Sequence, residues 1–96
     1  LPHFPWIRRD ISIEVGESTE WAQVARAIRS GLPTMVNEPV LFDYFRGPGL
    51  SAGRKSLAIG LILQDSSRTL TDQDADRSVA EVVKLLEGEF GARLRG

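Results

Sequence analysis

The chain has 96 residues, of which 42% are hydrophobic and 26% are charged, a composition typical of one small globular domain. Its formal net charge is −1, so the overall charge does not indicate a polyanionic partner. Recognition of such a partner would have to rest on the local placement of the arginines. Cysteine is absent, which excludes a disulfide framework and a thiolate metal site. No apolar run approaches the ~20 residues that cross a bilayer. We interpret residues 1 to 8 as a segment that leads into a single domain cut from a longer chain.

The first two predicted elements are a strand and a helix. Apolar and polar residues alternate from Arg9 to Val15, which predicts a strand with one buried face. A helix follows over residues 19 to 30, with Ser18 as its N-cap, Gly31 as its stop signal and Trp21 in the core. Its apolar residues recur at helical spacing, so both elements offer one face to a common core.

The centre of the chain predicts a hairpin of two strands around a glycine-rich turn. Alternation in the first strand places Val40, Phe42 and Tyr44 on a buried face, and Leu41, Asp43 and Phe45 on the opposite face. In the second strand Leu57, Ile59, Leu61 and Leu63 are predicted to be buried, and Ser56, Ala58, Gly60 and Ile62 to lie opposite them.

The second face of this hairpin is unusually bare. Exposed strands normally carry long polar side chains, whereas Ser56, Ala58 and Gly60 leave the sheet surface uncovered. Asp43 and Phe45 project onto the same surface from the neighbouring strand and add a carboxylate acceptor and an aromatic ring. We expect a planar ligand to fit there.

The C-terminal part predicts a helix and a last strand. Thr71 is the predicted N-cap of the helix, and Gly88 its end. Acidic residues near its start could suggest a cation site, but capping and the positive end of the helix dipole explain them better; they are Asp72, Asp74 and Asp76. The segment from Phe90 to Arg95 alternates, which predicts a strand with Arg93 and Arg95 on one face.

The predicted order is strand, helix, strand, strand, helix, strand. This order is typical of an α+β fold, the ferredoxin-like βαββαβ sandwich, in which two helices cover one face of a four-stranded antiparallel sheet. Right-handed crossovers place the first and third strands in the middle. The sheet face opposite the helices is called the open face below. It is predicted to collect Asp10, Ser12, Asp43, Phe45, Ser56, Ala58, Gly60, Arg93 and Arg95.

Other chemical signals in the sequence are weak. The segment from Gly49 to Ser56 resembles a phosphate-binding loop superficially, but Arg54 interrupts the required triplet and a strand follows instead of a helix. His3 is the sole histidine and has no nucleophile pattern around it. The open face has the three components of RNA recognition, namely an aromatic ring, polar groups and cations. An ordinary solvated face, or one covered by another domain, is the alternative.

Five ordered motifs resemble the ferredoxin-fold anticodon-binding domain, which ends the beta subunit of bacterial phenylalanine–tRNA ligase and the single-chain organellar enzyme. The resemblance covers essentially the whole chain. The first motif joins Phe4-Pro5 to Arg9-Asp10-Ile11, and the other four are Leu41-Phe42-Asp43, Lys55-Ser56-Leu57-Ala58, Arg68-Thr69-Leu70-Thr71-Asp72 and Phe90-Gly91-Ala92-Arg93-Leu94-Arg95.

The resemblance implies a non-catalytic module that holds the anticodon stem-loop of the phenylalanine tRNA, with base contacts carried over to Asp43, Phe45 and Ser56. The family usually has a tyrosine at Phe45, so stacking is kept and a hydroxyl contact is lost. Phosphate contacts are predicted for Arg93, Arg95, Arg54 and Lys55, with Arg93 and Arg95 favoured over Arg8 and Arg46, while Arg9 and Arg68 are interpreted as structural.

The resemblance also implies the surroundings of the domain. Its partners are the remaining domains of a beta subunit and an alpha subunit in the cytoplasm. No cofactor is expected in the domain, while the parent ligase is expected to use ATP and Mg. Two other functions stay open from the residues alone. One is a regulatory or protein-interaction domain that binds a small metabolite or a partner on its open face. The other is a small acyl-phosphate hydrolase, disfavoured because no glycine-rich anion loop follows the first strand.

Overall fold

The computed structural model describes residues 4–32 and 37–95, and it confirms the predicted ferredoxin-like α+β fold. The four strands form one antiparallel sheet in the order β2-β3-β1-β4, so the first and third strands are central as predicted. Neither helix is long and apolar enough to cross a membrane, as far as the described residues extend. The elements are β1 (Ile7–Gly16), α1 (Trp21–Gly31), β2 (Val40–Phe45), β3 (Arg54–Leu63), α2 (Asp72–Phe90) and β4 (Arg93–Leu94).

The core lies between the central strands and the two helices. β1 and β3 pair along their whole length, from Ile7 opposite Leu63 to Gly16 opposite Arg54. Their alternate side chains point to the helices and are buried against them, which removes the largest apolar groups from water. The largest fully buried side chains are Ile13, Ile28, Ile59, Leu61, Leu63, Leu86, Val15, Val24 and Val82.

Helix α1 begins later than the sequence pattern predicts. Its N-cap is Glu20 and not Ser18, because the preceding residues form a turn in which the Thr19 N–H donates to the Gly16 carbonyl. The Gln23 side chain accepts a hydrogen bond of 2.9 Å from the Glu20 N–H, which caps the first turn. The helix extends to Gly31, as predicted to within a residue, and Trp21 is only half-buried against the core.

Helix α2 has the predicted start and a different end. Thr71 is its N-cap, with a capping box in which its hydroxyl accepts from the Asp74 N–H. The predicted end at Gly88 is wrong, because the helix continues to Phe90 and stops at Gly91, which adopts the left-handed conformation with φ 63° and ψ 30°. Phe90 is therefore helical, and β4 is reduced to two residues of the predicted strand.

The acidic residues at the start of α2 are used in ion pairs. Arg9 lies on the helix side of β1 and reaches Asp72 at 3.1 Å and Asp76 at 3.9 Å. Arg68 donates to Asp74 at 2.6 Å. That bond and those with Thr71 hold the pKa of the Asp74 carboxyl well below its ordinary value. Arg9 and Arg68 thus make contacts within the fold, and Asp74 takes part in the predicted capping of α2.

Strand β2 departs from simple alternation because it contains a β-bulge. Leu41 is opposite Ile59 and Asp43 is opposite Ala58, which leaves Phe42 as an extra residue without a partner on β3. Leu41 consequently packs against the core, although alternation predicted it on the open face. The prediction that Val40, Phe42 and Tyr44 are buried is wrong, since their exposed fractions are 41%, 49% and 55%.

Candidate nucleic-acid interface

The open face is built from three successive rows of residues across β2, β3 and β1. The strand register places Asp43, Ala58 and Ser12 in the middle row. The residues of β3 on this face are small, so the surface between β2 and β1 lies low. The first row contains Val40, Gly60 and Asp10, and the last contains Phe45, Ser56 and Glu14.

Asp43, Phe45 and Ser56, the three predicted base-contacting residues, lie together on this face. Phe45 is directly opposite Ser56, and all three line a shallow depression of about 260 Å³. Among the described residues, no hydrogen bond or ion pair occupies the Asp43 carboxylate. The depression thus combines an available acceptor, the ring of Phe45, which is 42% exposed, and the hydroxyl of Ser56, a residue that is only 6% exposed.

The Phe45 ring lies between a backbone segment and a guanidinium group. Gly47 has φ +141°, and a Cβ placed on it would lie 3.3 Å from the Cζ of Phe45. The Arg95 Cζ lies 5.8 Å from the centre of the ring, within the range of a cation–π contact. The turn after β2 therefore needs glycine, both for its backbone conformation and for the close approach of the ring.

Arg95 reaches across the sheet from the opposite edge. Its N–H donates to the Ser12 carbonyl at 2.8 Å, which extends the short pairing of β4 with β1. Its guanidinium lies near Phe45 and near Gly49 in the β2–β3 loop, where a Cβ would be 4.0 Å from Nη2. Arg93 is exposed and lies opposite Glu14. The two arginines thus place positive charge beside the depression.

The other two predicted cations do not join this group. Arg54 is held by Glu14, at 3.3 Å between Nε and Oε1, and donates to the Gly91 carbonyl at 3.0 Å. Its side chain is 22% exposed, as expected of a residue that ties β3 to β1 and to the end of α2. Lys55 is opposite Val15, which is buried, so alternation places Lys55 on the helix side of the sheet. The four cations do not form one patch.

Two residues that sequence reasoning did not place in the site contribute to the open face. Arg8 lies against Gly60, where a Cβ would come within 2.9 to 3.1 Å of three guanidinium atoms. The Arg8 Cζ is also 5.3 Å from the centre of the Phe42 ring. The bulge that brings Phe42 here has no signal in the sequence. A glycine within a strand, such as Gly60, is a signal of a close approach that could have indicated the position of Arg8.

The arrangement of the open face is suited to binding. No group of three or more histidine, cysteine, aspartate or glutamate side chains is placed to hold a metal ion in residues 4–32 and 37–95. A flat surface with a ring, a carboxylate and flanking arginines can stack a base, accept hydrogen bonds from its edge and contact phosphates.

Comparison with known proteins agrees with this geometry. The sequence model of the family described as the ferredoxin-fold anticodon binding domain matches residues 2–95. The phenylalanine–tRNA ligase beta subunit of Xanthomonas campestris pv. campestris (strain 8004) is 46% identical over 96 residues, which are 100% of this chain and 12% of that protein. The beta subunits of Xylella fastidiosa (strain 9a5c) and Nitrosospira multiformis are each 41% identical over 95 residues, 99% of this chain and 12% of theirs.

The chain thus spans about 12% of the length of the curated relatives that it matches. The match covers every strand and both helices, together with all residues of the open face that were predicted from the sequence. The chain belongs to the family of ferredoxin-fold anticodon-binding domains.

Proposed function

We propose that this chain binds the anticodon stem-loop of tRNA(Phe) on its open face and so positions the tRNA for aminoacylation by a phenylalanine–tRNA ligase. The observation that supports it is the grouping of Asp43, Phe45 and Ser56 in one depression beside Arg95, in a chain that belongs to an anticodon-binding family. The domain itself binds, and the chemistry takes place elsewhere in the ligase.

Guanine fits the depression because its Watson–Crick edge carries two adjacent donors, the ring N–H and the amino group. The Asp43 carboxylate supplies two acceptor oxygens for them, and charge-assisted bonds of this kind are stronger than neutral ones. Phenylalanine codons are UUU and UUC, so their shared anticodon GAA begins with guanine. In this arrangement the guanine stacks on Phe45 and Ser56 adds a further hydrogen bond.

The wider assembly is part of the same proposal. The chain acts as one domain of a ligase beta subunit and works with the other domains of that subunit and with an alpha subunit, in the cytoplasm. ATP and Mg belong to the aminoacylation site of the whole enzyme. Because one tRNA contacts both sites, weak anticodon binding adds to acceptor-end binding through its effective concentration.

The test is aminoacylation by the full-length enzyme that carries this domain, with amino-acid activation measured without tRNA. Phe45→Ala and Asp43→Ala are expected to lower kcat/KM for tRNA and to leave activation unchanged. Stacking on an aromatic ring contributes about 1 to 3 kcal/mol per base, so Phe45→Ala lowers binding by roughly 5- to 150-fold. Phe45→Tyr keeps the stacking surface and should keep the activity.

Two matched variants separate base recognition from loss of charge and shape. Asp43→Asn keeps the size of the side chain but offers one acceptor in place of two. The enzyme should therefore discriminate less between the guanine-containing anticodon and one that contains inosine instead. Arg26→Ala removes one positive charge from an exposed position on α1 and is expected to leave tRNA charging unchanged. Unaltered charging by both alanine variants at Asp43 and Phe45, with the fold intact, would reject the open face as the tRNA-binding surface.

A further inference from the structure

The open face has a second aromatic ring with its own guanidinium group, at the other end of β2. The bulge frees Phe42 from strand pairing, and the Arg8 guanidinium lies 5.3 Å from the ring centre. The same guanidinium covers Gly60, with its Nε, Cζ and Nη2 all 2.9 to 3.1 Å from the position of a Cβ. The Arg8 Nε donates a hydrogen bond of 2.9 Å to Asp10 Oδ1, which holds one edge of the guanidinium in place. The guanidinium thus lies over the ring, and the outer surface of this pair is on the open face.

We propose that Phe42 and Arg8 form a second base-binding subsite, which takes one of the two adenines that follow the guanine in the anticodon. The proposal rests on the proposed function, since it assigns a further nucleotide of the same RNA. Bases stack on guanidinium planes as well as on aromatic rings, and Phe42 is 49% exposed. The adenine stacks on this surface, on the same side of the sheet as the guanine.

The distance between the two subsites fits neighbouring or next-neighbouring nucleotides. Phe45 is in the row of Ser56, and the Arg8 guanidinium lies over Gly60, four residues further along β3. At the rise of an extended strand this separation is about 13 Å. Four-stranded RNA-binding sheets stack two or three splayed bases on one face, so a loop that places guanine on Phe45 can continue along β3 to the second subsite.

Asp10 gives the second subsite a preference for a base with an exocyclic amino group. Its Oδ1 accepts from Arg8, and its Oδ2 has no hydrogen-bond partner among residues 4–32 and 37–95. This oxygen can accept a hydrogen bond from the N6 amino group of adenine, whereas uracil presents a carbonyl oxygen, which is itself an acceptor. Replacing the bound adenine by uracil therefore removes a hydrogen bond and places two acceptors together.

Charge favours RNA over a protein as the occupant of this surface. Two exposed aromatic residues of this face each have an arginine Cζ within 5.3 to 5.8 Å of the ring centre, namely Phe42 with Arg8 and Phe45 with Arg95. An apolar protein contact would have to bury these guanidinium groups at a cost, whereas a nucleic acid supplies phosphates to them. The second subsite is also continuous with the predicted guanine site.

The test measures binding of an anticodon stem-loop RNA to the 96-residue chain at low salt. One adenine of the anticodon at a time is replaced by 2-aminopurine, whose fluorescence falls when it stacks. Phe42→Ala is expected to weaken binding by roughly 5- to 150-fold and to abolish the fluorescence change at one of the two adenines. Gly60→Ala keeps every charge and displaces the guanidinium, which is the end of a flexible side chain, so it should abolish the same signal.

Matched variants make the outcomes separable. Gly88→Ala is the same substitution as Gly60→Ala in open space, and it should leave the RNA signal unchanged. If Asp43→Ala weakens RNA binding while Phe42→Ala and Gly60→Ala do not, the second subsite is rejected and the proposed function stands. A protein partner would then be the occupant of the surface at Phe42. If folded wild-type chain binds no RNA at all, the proposed function fails, and the subsite fails with it.

Discussion

Two glycines near the end of α2 should respond in opposite directions to the same substitution. Gly88 lies inside the helix, and Gly91 ends it with φ 63° and ψ 30°. A Cβ added to either residue meets no heavy atom within 4 Å. Packing therefore does not enter the comparison, and each substitution reports the backbone conformation of its own position.

The magnitudes follow from that conformation. Gly88→Ala removes the entropic cost of glycine in a helix and should raise the free energy of unfolding by about 0.5 to 1 kcal/mol. Gly91→Ala forces an L side chain into the left-handed region and should lower it by about 1 to 2 kcal/mol. For a domain of this size each kcal/mol corresponds to roughly 4–8 °C in Tm.

Urea denaturation followed by far-UV circular dichroism measures both changes, and equal m-values for the variants establish a common unfolded reference. The hydrogen bonds from the Gly91 N–H to Glu87 and from the Ala92 N–H to Leu86 should survive in Gly88→Ala. If Gly88→Ala destabilises the domain as much as Gly91→Ala does, then Gly88 ends the helix, and the helix boundary described above is refuted.

Two further predictions concern the ion pairs at the start of α2. Arg9→Ala should lower the free energy of unfolding by about 0.5 to 1 kcal/mol, because its acidic partners are exposed and surface pairs contribute little. The difference in urea midpoint between wild type and Arg9→Ala should shrink in high salt. A difference that does not depend on salt would indicate lost packing instead. Asp74→Asn tests the lowered pKa, whose first cause is the hydrogen bond from Arg68. A carboxyl with a lowered folded-state pKa stabilises the fold above its unfolded pKa of about 4 and loses that contribution as pH falls further. Urea midpoints of wild type and Asp74→Asn should therefore differ at neutral pH and converge as the pH is lowered below about 4, whereas parallel curves would contradict the assignment.

The fold could be predicted from the sequence because each element has its own periodicity and end signals. The alternation of β1 and β3 is nearly perfect, and Thr71 has the hydroxyl that caps α2. The end of α2 could not be predicted, because Gly88 and Gly91 are both glycines with suitable spacing. Only the packing of Phe90 against the core decides between them.

The make-up of the open face was predicted in part. Asp43 and Phe45 lie on the open face because the bulge comes before them, and alternation counted backwards from Phe45 holds only as far as Asp43. Beyond that point an extra residue reverses the faces of Leu41 and Val40. The ion pair of Arg54 with Glu14 could not be predicted from the sequence either, since the register of two strands that are distant in the chain determines which side chains meet.

The central place of β1 governs the order in which this domain can fold during synthesis. β1 is made first, yet both of its neighbours in the sheet come later, and β3 follows only after the whole β2–β3 loop. Until β3 leaves the ribosome, β1 has no strand to pair with, whereas β2 and β3 can close locally as a hairpin. Non-local pairing of this kind slows folding, so β1 has no partner in the sheet until β3 is complete, and the part of the core that α2 covers forms only when the last third of the domain has been made.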